Sequence, residues 1–339
     1  MDSIKVRQAQ KTEWKDFLNT QEIFPLFYSW DWKELMETAV PWLKAEYFVF
    51  EKNKTVIAIM PGFTYKNTFQ SMPYCEYGGL LCNKIKNSVS KEELYKLFLK
   101  ELKQNNYVIK ANFDEEKNLE VFPFAEKLLV TYLDNISNSE EKLMSSFRKT
   151  TRHSIRYAKE NGVEIKNLNS EKELKIFYDL QINTIRKNRG IAIPFKILKG
   201  VFELQKKGKA AILASYLNKK MLSGIVVLFG KKYASYYMSA NSKESYKSHA
   251  NHLLVWQAIL ESKKRNLKYF DFGAAVKGTP AEVFKKGWGG EFREIIEYSN
   301  KKLTIPDFDS LSRKVLGVIP SFLMKLSSKK LAKLAFEKL

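Results

Sequence analysis

The chain has 339 residues, of which 45% are hydrophobic and 14% aromatic, enough to bury one large core or two ordinary ones. Its formal net charge of +21 favours an anionic partner such as RNA, a nucleotide-linked precursor or a phospholipid headgroup, although a lysine-rich solvated surface would carry the same charge. Two cysteines exclude a disulfide framework and a four-thiolate zinc site, and they fit a reducing compartment. The absence of a signal-peptide pattern and of a long apolar run predicts a cytoplasmic protein.

In the first part of the chain, apolar spacing and turn residues predict an alternation of helices and strands. Two strand-like runs over 47–59 flank the polar pair Asn53-Lys54 and predict a hairpin. Apolar residues at helical spacing predict a helix over 91–104. The other predicted elements are helices over 12–19 and 30–38 and strands over 68–72 and 107–112.

A polar linker over 135–141 and a basic helix over 149–161 follow. The helix region carries Arg148, Lys149, Arg152, Arg156 and Lys159. A spacing of three or four residues places four of these five cations, all except Lys149, on one face. Because like charges repel, the face is either solvated or held by phosphates, and clustered cations favour anion binding, tRNA included.

The second part repeats the layout of the first. A hairpin is predicted over 212–225 around Asn218-Lys219, about 165 residues after the first hairpin. Helices are predicted over 171–189, 195–207 and 252–266, and strands over 233–240 and 269–272.

This repeat predicts an α/β (α+β) protein of two tandem units, each with a mixed, mostly antiparallel sheet flanked by helices. The predicted domains are 1–140, 141–300 with the candidate catalytic groove, and a basic amphipathic helical tail over 301–339. The tail carries leucines and phenylalanines interspersed with lysines. It is suited either to an anionic membrane surface or to packing on the core.

Two motifs carry a resemblance to a known family. The strand 269–272 ends next to Gly273, and the pair Phe284-Lys285 precedes a glycine-rich turn over 287–290. The run from Arg148 to Ala158, followed by Gly162-Val163, has the Arg-Lys-x-x-Arg spacing found in the same family. The chain thus resembles the Fem-type aminoacyl or acyl transferases over nearly its whole length, and the resemblance implies tandem GNAT-like domains and amide-bond formation.

The resemblance also implies roles for particular residues. Lys285 would stabilise developing charge or hold the donor, and Phe284 would pack beside the reacting group. Asp271 is a candidate to orient a ligand or accept a proton, although an aspartate before a glycine is also an ordinary turn former. The loop at Tyr77-Gly78-Gly79 lacks the following carboxylate that the family uses as a proposed base, so no general base is carried over. The implied substrate-binding residues are Lys33, Tyr77, Arg186, Arg189, Tyr236 and Tyr237, of which alternation along a strand lets at most one of the two adjacent tyrosines face the site.

The sequence predicts no metal site and no bound cofactor. His249 and His252 are three residues apart, but His153 is remote in sequence and no cysteine or carboxylate completes a ligand set. The stretch 246–252 contains no glycine, whereas enzymes that use coenzyme A cradle its pyrophosphate with a glycine-rich turn at a helix start. An aminoacyl-tRNA donor therefore fits better, with acyl-CoA as the alternative.

The sequence thus predicts an aminoacyltransferase that joins an amino acid from aminoacyl-tRNA to an amine of a nucleotide- or lipid-linked cell-wall peptide precursor, with peripheral contact at the inner face of an anionic membrane. One alternative is an acyl-CoA-dependent N-acyltransferase that acts on a sugar or lipid-linked precursor. Another is a non-catalytic basic scaffold that binds RNA or membrane.

Overall fold

The computed structural model describes residues 4–83, 89–111, 119–133, 135–188, 192–275, 278–302 and 333. These residues form two compact units: unit 1 comprises 4–129, 293–302 and 333, and unit 2 comprises 130–292. The chain therefore passes into unit 2 before the predicted boundary at 140 and returns to unit 1 before 300. Most of the predicted tail, 301–339, lies outside the described residues.

Unit 1 begins the chain. Serine hydroxyls at Ser29 and Ser90 accept hydrogen bonds from the first turns of two of its helices and so fix where those helices start. Its elements in chain order are β1 (Lys5–Gln8), α1 (Lys11–Thr20), a 3-10 turn (Leu26–Tyr28), α2 (Trp30–Ala39), β2 (Lys44–Ala45), β3 (Phe48–Lys52), β4 (Thr55–Met60), β5 (Phe63–Tyr65), β6 (Thr68–Gln70), β7 (Leu81–Cys82), α3 (Lys91–Glu101), β8 (Asn106–Lys110) and β9 (Phe124–Leu133), along which the chain passes to unit 2.

Unit 2 follows and contains the helices α4 to α10. The hydroxyls of Ser139 and Ser170 cap the first turns of two of them. Its elements are α4 (Glu140–Ser146), α5 (Lys149–Glu160), β10 (Glu164–Asn167), α6 (Glu171–Lys187), α7 (Phe195–Lys206), β11 (Ala210–Leu217), β12 (Lys220–Phe229), β13 (Tyr233–Asn241), α8 (Lys243–Lys247), α9 (Ala250–Lys264), β14 (Tyr269–Ala275) and α10 (Pro280–Lys286), after which β15 (Glu291–Ser299) leads back to unit 1.

Unit 1 has two sheets. The first has the strand order β1-β3-β4-β7, and the second contains β15-β8-β6-β5-β2, in which only the β6–β8 pairing is parallel. Aromatic rings fill the core between helix α3 and the strands. Phe122 stacks on Tyr298 at 4.2 Å, and Phe98 meets Phe48 and Phe69 edge to face. The burial of apolar ring surface of this kind is the main favourable contribution to the stability of the fold.

Unit 2 has the strand order β10-β11-β12-β13-β14, with a parallel pairing only between β13 and β14. Strands β11 and β12 are apolar on both faces of the sheet. Helices α9 and α5 cover one face, and helices α6 and α7 cover the other. The mixed, mostly antiparallel sheets flanked by helices confirm the predicted fold class.

The internal repeat is confirmed in the backbone. Asn53 and Lys54 both have positive φ, and so do Asn218 and Lys219, the pattern of a two-residue type I′ hairpin. A register shift follows Phe50 in the first hairpin and Ser215 in the second, which is the same offset of about 165 residues. Each unit also has one parallel strand pair joined by a helical crossover.

The helix predictions agree with the structure to within a few residues at each end. The basic helix is α5, and the helix predicted over 171–189 ends at Lys187. No helix within the described residues is both long enough and apolar enough to cross a bilayer.

Candidate active site

Strands β13 and β14 separate toward their carboxyl ends. They run parallel and pair from Tyr233 with Tyr269 to Ser235 with Asp271, after which β13 continues to Asn241 and β14 to Ala275. Crevices at the carboxyl ends of parallel strands are preferred ligand sites. The helices that follow these strands, α8 and α9 after one and α10 after the other, begin at this edge. We define this region as the β13–β14 cleft.

Asp271 fixes the end of β14. Its side chain is buried, with Oδ2 accepting a hydrogen bond from the Tyr233 hydroxyl at 2.7 Å and Oδ1 accepting one from the Gly273 amide at 2.6 Å. Gly273 has a φ of +70°, a conformation that favours glycine. The carboxylate thus holds Gly273 in a left-handed conformation within β14, which is a positioning function.

Lys285 is buried, with 9% of its surface exposed. Its Nζ donates hydrogen bonds to the carbonyl oxygens of Gly273 at 2.8 Å and Ala274 at 2.6 Å. Helix α10 delivers the side chain: Thr279 caps its first turn and Pro280 occupies a first-turn position. The ammonium group is therefore held at the end of β14 and supplies a fixed positive charge to the cleft.

Phe284 lies in a group of rings next to Lys285. Its ring centroid is 5.0 Å from that of His252 and 6.0 Å from that of Trp288. Burial, together with the neighbouring His249, lowers the pKa of His252 to about 4, so its imidazole is neutral at physiological pH. His252 Nδ1 and Trp288 Nε1 are buried and have no hydrogen-bond partner among the described residues. Buried polar atoms of this kind are uncommon and often mark a functional region.

The two motifs that carry the family resemblance meet in one joint. The Gly287 carbonyl accepts a hydrogen bond from the Arg148 amide at 2.9 Å and another from Thr151 Oγ1 at 2.9 Å. Gly289 has a φ of +69°, and a Cβ atom there would overlap the carbonyl oxygen of Ser146. The glycine-rich turn therefore joins the end of α10 to the start of α5. Sequence patterns alone do not reveal this joint, because its two halves are far apart in the chain.

The predicted anion-binding set divides in two. Arg148, Lys149 and Arg156 are exposed. Arg152 is half-buried, and its Nη1 donates to the carbonyl oxygens of Phe147 and, at 3.3 Å, Ser145. Its guanidinium is thus engaged by the α4–α5 corner, whereas the other three present their charges to solvent.

Tyr236 and Tyr237 lie on the stretch of β13 beyond its pairing with β14. Val226 pairs with Met238 and Val227 with Tyr236, so Tyr237 is the extra residue of a β-bulge. The bulge interrupts the strict alternation on which the prediction for these two tyrosines was based; that at most one of them faces the site stays a prediction. Burial raises the pKa of Tyr236 to about 12, so its hydroxyl stays protonated.

Arg186 is placed near the same edge by helix α6. Thr184, two residues earlier, accepts a hydrogen bond from the Asn241 amide at 2.9 Å through its Oγ1. Because Asn241 is the last residue of β13, the basic end of α6 lies beside the open end of this strand. Arg189 lies outside the described residues.

The remaining predicted binding residues belong to unit 1. Lys33 forms an ion pair with Glu37 at 2.8 Å, and its Nζ lies 4.7 Å from the centroid of the Trp30 ring. Tyr77 is buried in the loop 71–80, where a Cβ atom at Gly78 would come within 2.7 Å of Met72 Cβ. Both side chains thus have structural roles in unit 1 beside any contact with substrate.

One candidate acid or base was missed by sequence reasoning. Burial raises the pKa of Glu297, an effect that Lys110 opposes and that Glu126 and Glu76 reinforce. Glu297 is opposite Lys110 in the β15–β8 pairing, and Lys110 Nζ donates to the Cys75 carbonyl. No local motif marks this carboxyl, because its environment depends on a pairing between distant strands.

Metal ligands do not come together: within the described residues there is no cluster of three or more His, Cys, Asp or Glu side chains able to hold a metal ion.

Residues 145–286 match the family model for the acetyltransferase (GNAT) domain. The matched residues all lie in unit 2, which is similar to a GNAT domain over this range. The β13–β14 cleft, α9 and Lys285 all lie within the matched residues.

Solved structures extend the comparison to the tandem arrangement. FemX superimposes with a TM-score of 0.63 at 14% identity, covering 91% of this chain and 100% of FemX. A domain described as the C-terminal part of a lysylphosphatidylglycerol synthetase from Agrobacterium fabrum gives 0.55 at 11% identity, covering 91% and 98%. A tandem GNAT protein from the clavulanic acid biosynthesis pathway gives 0.50 at 11% identity, covering 88% and 99%. The predicted tandem GNAT-like fold is thereby confirmed. No curated protein matches the sequence.

Proposed function

We propose that this chain is an aminoacyltransferase that forms an amide bond between an amino acid carried on a tRNA and an amine of a cell-wall peptide precursor. The observation that carries the proposal is the fixed ammonium group of Lys285 at the β13–β14 cleft. The exposed cations at the start of α5 are joined to the same helix, α10, through the Gly287 carbonyl. These contacts support the proposal because the proposed site of charge development and the proposed phosphate-binding surface belong to one unit.

The chemistry needs positioning and charge rather than a covalent nucleophile. The acceptor amine attacks the ester carbonyl of the aminoacyl group, and a C–N bond forms as negative charge develops on the carbonyl oxygen. The C–O bond to the ribose then breaks, the ribose oxygen takes up a proton and the amine loses one. Lys285 would stabilise the developing oxyanion, an effect that is large in a site from which water is excluded. Phe284 would pack against the reacting group.

The donor is proposed to be aminoacyl-tRNA because the surface beside the cleft offers cations rather than a glycine-rich cradle. Arg148, Lys149 and Arg156 are exposed to solvent, as phosphate contacts require. The start of α9 carries the imidazoles of His249 and His252 instead of bare backbone.

The acceptor is proposed to be a nucleotide- or lipid-linked precursor. Arg186 at the end of α6 would contact its phosphates, as the family resemblance implies, and Tyr236 and Tyr237 would line the groove for its peptide. Lys33 and Tyr77 are the proposed contacts from unit 1. A lipid-linked acceptor would require peripheral contact with an anionic membrane, for which the basic tail remains the proposed segment.

One observation favours the acyl-CoA alternative. His249, the residue before α9, has a φ of +53°, so the left-handed turn that glycine usually supplies is present without a glycine. The first amides of this 15-residue helix would then be available to a pyrophosphate. An acyl-CoA-dependent N-acyltransferase is therefore the second candidate.

Transfer of radiolabelled amino acids from a mixed pool of charged tRNA to nucleotide-linked and lipid-linked muropeptides tests the proposal. RNase-sensitive labelling is the expected result. RNase-insensitive transfer that requires acyl-CoA would replace the proposal with the second candidate. RNA or vesicle binding without transfer from either donor would support the non-catalytic scaffold.

A further inference from the structure

The three histidines of the chain come together in unit 2 although His153 is on α5 and the other two are at the start of α9. The His153 ring lies 6.2 Å from Tyr157, Tyr157 lies 5.1 Å from His249, and His249 lies 5.9 Å from His252. His252 in turn lies 5.0 Å from Phe284. We call these five rings the aromatic track.

The track runs from solvent to the candidate catalytic residues. At its outer end His153 is exposed and the next ring, Tyr157, is 39% exposed. At its inner end Phe284 is half-buried and adjacent in sequence to Lys285. Neighbouring rings meet at interplanar angles of 41°, 71°, 46° and 62°. Two of these contacts are edge to face and two are tilted, and none is stacked face to face.

The surroundings of the outer end are strongly basic. Arg148, Lys149, Arg156 and Lys159 are exposed, and the structure shows no ion pair between any of them and another described residue. The only acidic residue of α5 is Glu160. Exposed aromatic rings, here His153 and Tyr157, beside unpaired cations suit a ligand that has flat rings and phosphates.

We propose that the aromatic track binds the unpaired 3′ end of an RNA, with bases stacked on Tyr157 and His249 and phosphates held by the α5 cations. This proposal rests on the proposed function, since it identifies how the donor tRNA reaches Lys285. Single-stranded RNA ends are recognised by stacking on tyrosine, histidine and similar planes, whereas duplex RNA is contacted through its backbone. The track would therefore recognise the end of the donor, and α5 would contact its phosphates.

Binding of two fluorescent probes by the full chain tests the proposal: a short single-stranded RNA, and a blunt RNA duplex of the same length. Tyr157→Ala is expected to weaken single-strand binding roughly tenfold and to leave duplex binding unchanged. Tyr157→Phe and Tyr157→Trp keep a ring and are expected to retain affinity. Arg156→Glu removes a phosphate contact and should weaken binding of both probes.

A matched control is Phe202→Ala on α7, where a half-buried ring lies 5.0 Å from Lys206 Nζ, outside the track. It is expected to leave binding of both probes unchanged. Thermal melting of each variant checks that the fold is retained.

The outcomes separate the track from the proposed function. Unchanged single-strand binding by Tyr157→Ala would overturn the track while RNase-sensitive transfer could still stand. Failure of the unsubstituted protein to bind either RNA, together with transfer from acyl-CoA, would overturn both. If Tyr157→Ala abolished binding to phosphatidylglycerol vesicles but left single-strand RNA binding intact, the exposed ring would be a lipid contact and the proposal would be wrong.

Discussion

Units 1 and 2 share a layout but differ after their parallel strand pairs. In unit 1, β6 stops at Gln70 and the chain enters the largely buried loop 71–80, where Met72 and Tyr74 adopt positive φ. In unit 2, β13 continues to Asn241 and leaves the β13–β14 cleft at its open end. The same repeat therefore produces a closed strand end in one unit and an open one in the other.

This difference shows how a duplicated fold separates stability from chemistry. In unit 1 the loop 71–80 is largely buried, and its Gly79 carbonyl accepts a hydrogen bond from the buried Tyr28 hydroxyl at 2.9 Å. Unit 2 retains buried polar atoms, including Gln181 Oε1 and Ser235 Oγ, that have no hydrogen-bond partner in the described part of the chain. Such groups lower stability, and they persist where a ligand site needs them.

Substitution of Lys285 is expected to have the largest effect on activity. Replacing it with Met keeps much of the side-chain volume but removes the charge held by the Gly273 and Ala274 carbonyls. We expect kcat for amide formation to fall by about a hundredfold to a thousandfold, with little change in the KM for the acceptor. Single-turnover transfer and a melting curve measure the two consequences separately.

The matched control is Lys207→Ala, which removes an exposed cation of unit 2 at the end of α7. It should transfer at the rate of the unsubstituted protein. If Lys285→Met lost activity only in proportion to a loss of folded protein, the charge of Lys285 would have a structural role alone.

Substitution of Gly289 tests the joint between α5 and α10. Among the described residues this joint is present only in unit 2. Gly289→Ala introduces a Cβ at a φ of +69° against the Ser146 carbonyl, and we expect it to lower the free energy of unfolding by about 3 kcal/mol. Gly208→Ala has a φ of +71° but nothing within 4 Å, so it isolates the backbone cost of about 1 kcal/mol. Urea unfolding compares the two; equal losses would show that the joint tolerates a methyl group.

The two units should respond to pH in opposite directions. In unit 2 the folded pKa of His252, about 4, is below that of the unfolded chain, so the unfolded state binds more protons. Its contribution, up to about 3 kcal/mol, is present above the ordinary histidine pKa and is lost as the pH falls toward 4. In unit 1 the raised pKa of Glu297 gives stability that is present at low pH and is lost as the pH rises through that pKa.

Variants separate these two slopes. His252→Phe should flatten the loss of stability on acidification, and Glu297→Gln should flatten the loss on raising the pH. Chemical denaturation at a series of pH values checks both. An unchanged slope in His252→Phe would show that another group controls the acid response.

The smallest expected effect concerns the two equivalent hairpins. Lys54→Gly and Lys219→Gly each relieve a left-handed lysine, at φ of 60° and 63°. We expect each to stabilise its unit by about 0.5 kcal/mol, since the relief of strain exceeds the added entropy of glycine only slightly. Similar shifts of the unfolding midpoint would support the repeat, whereas opposite signs would show that the turns are not equivalent.

The sequence was sufficient for the features that depend on local pattern. The turns at Asn53-Lys54 and Asn218-Lys219 and the helices at apolar spacing follow from nearby residues, so the repeat and the fold class were predictable. Features that join distant segments were not. The hydrogen bonds to the Gly287 carbonyl, the bulge at Tyr237 and the burial of Glu297 each depend on strand register or on packing between elements. The site residues themselves were found through resemblance, and their roles remain predictions.

The return of the chain to unit 1 has a consequence for synthesis on the ribosome. Strand β8 pairs with β15, where Lys110 lies opposite Glu297. All of unit 2 is translated after Lys110 and before Glu297, so this pairing forms late. At elongation rates of about 5 to 20 residues per second, this partner arrives roughly 10 to 40 seconds later. During that interval one edge of β8 lacks its neighbour, and by the time β15 is made, the five strands of the unit 2 sheet, β10 to β14, have all been synthesised. The inserted unit is therefore expected to fold first, and the N-terminal unit to complete its sheet last.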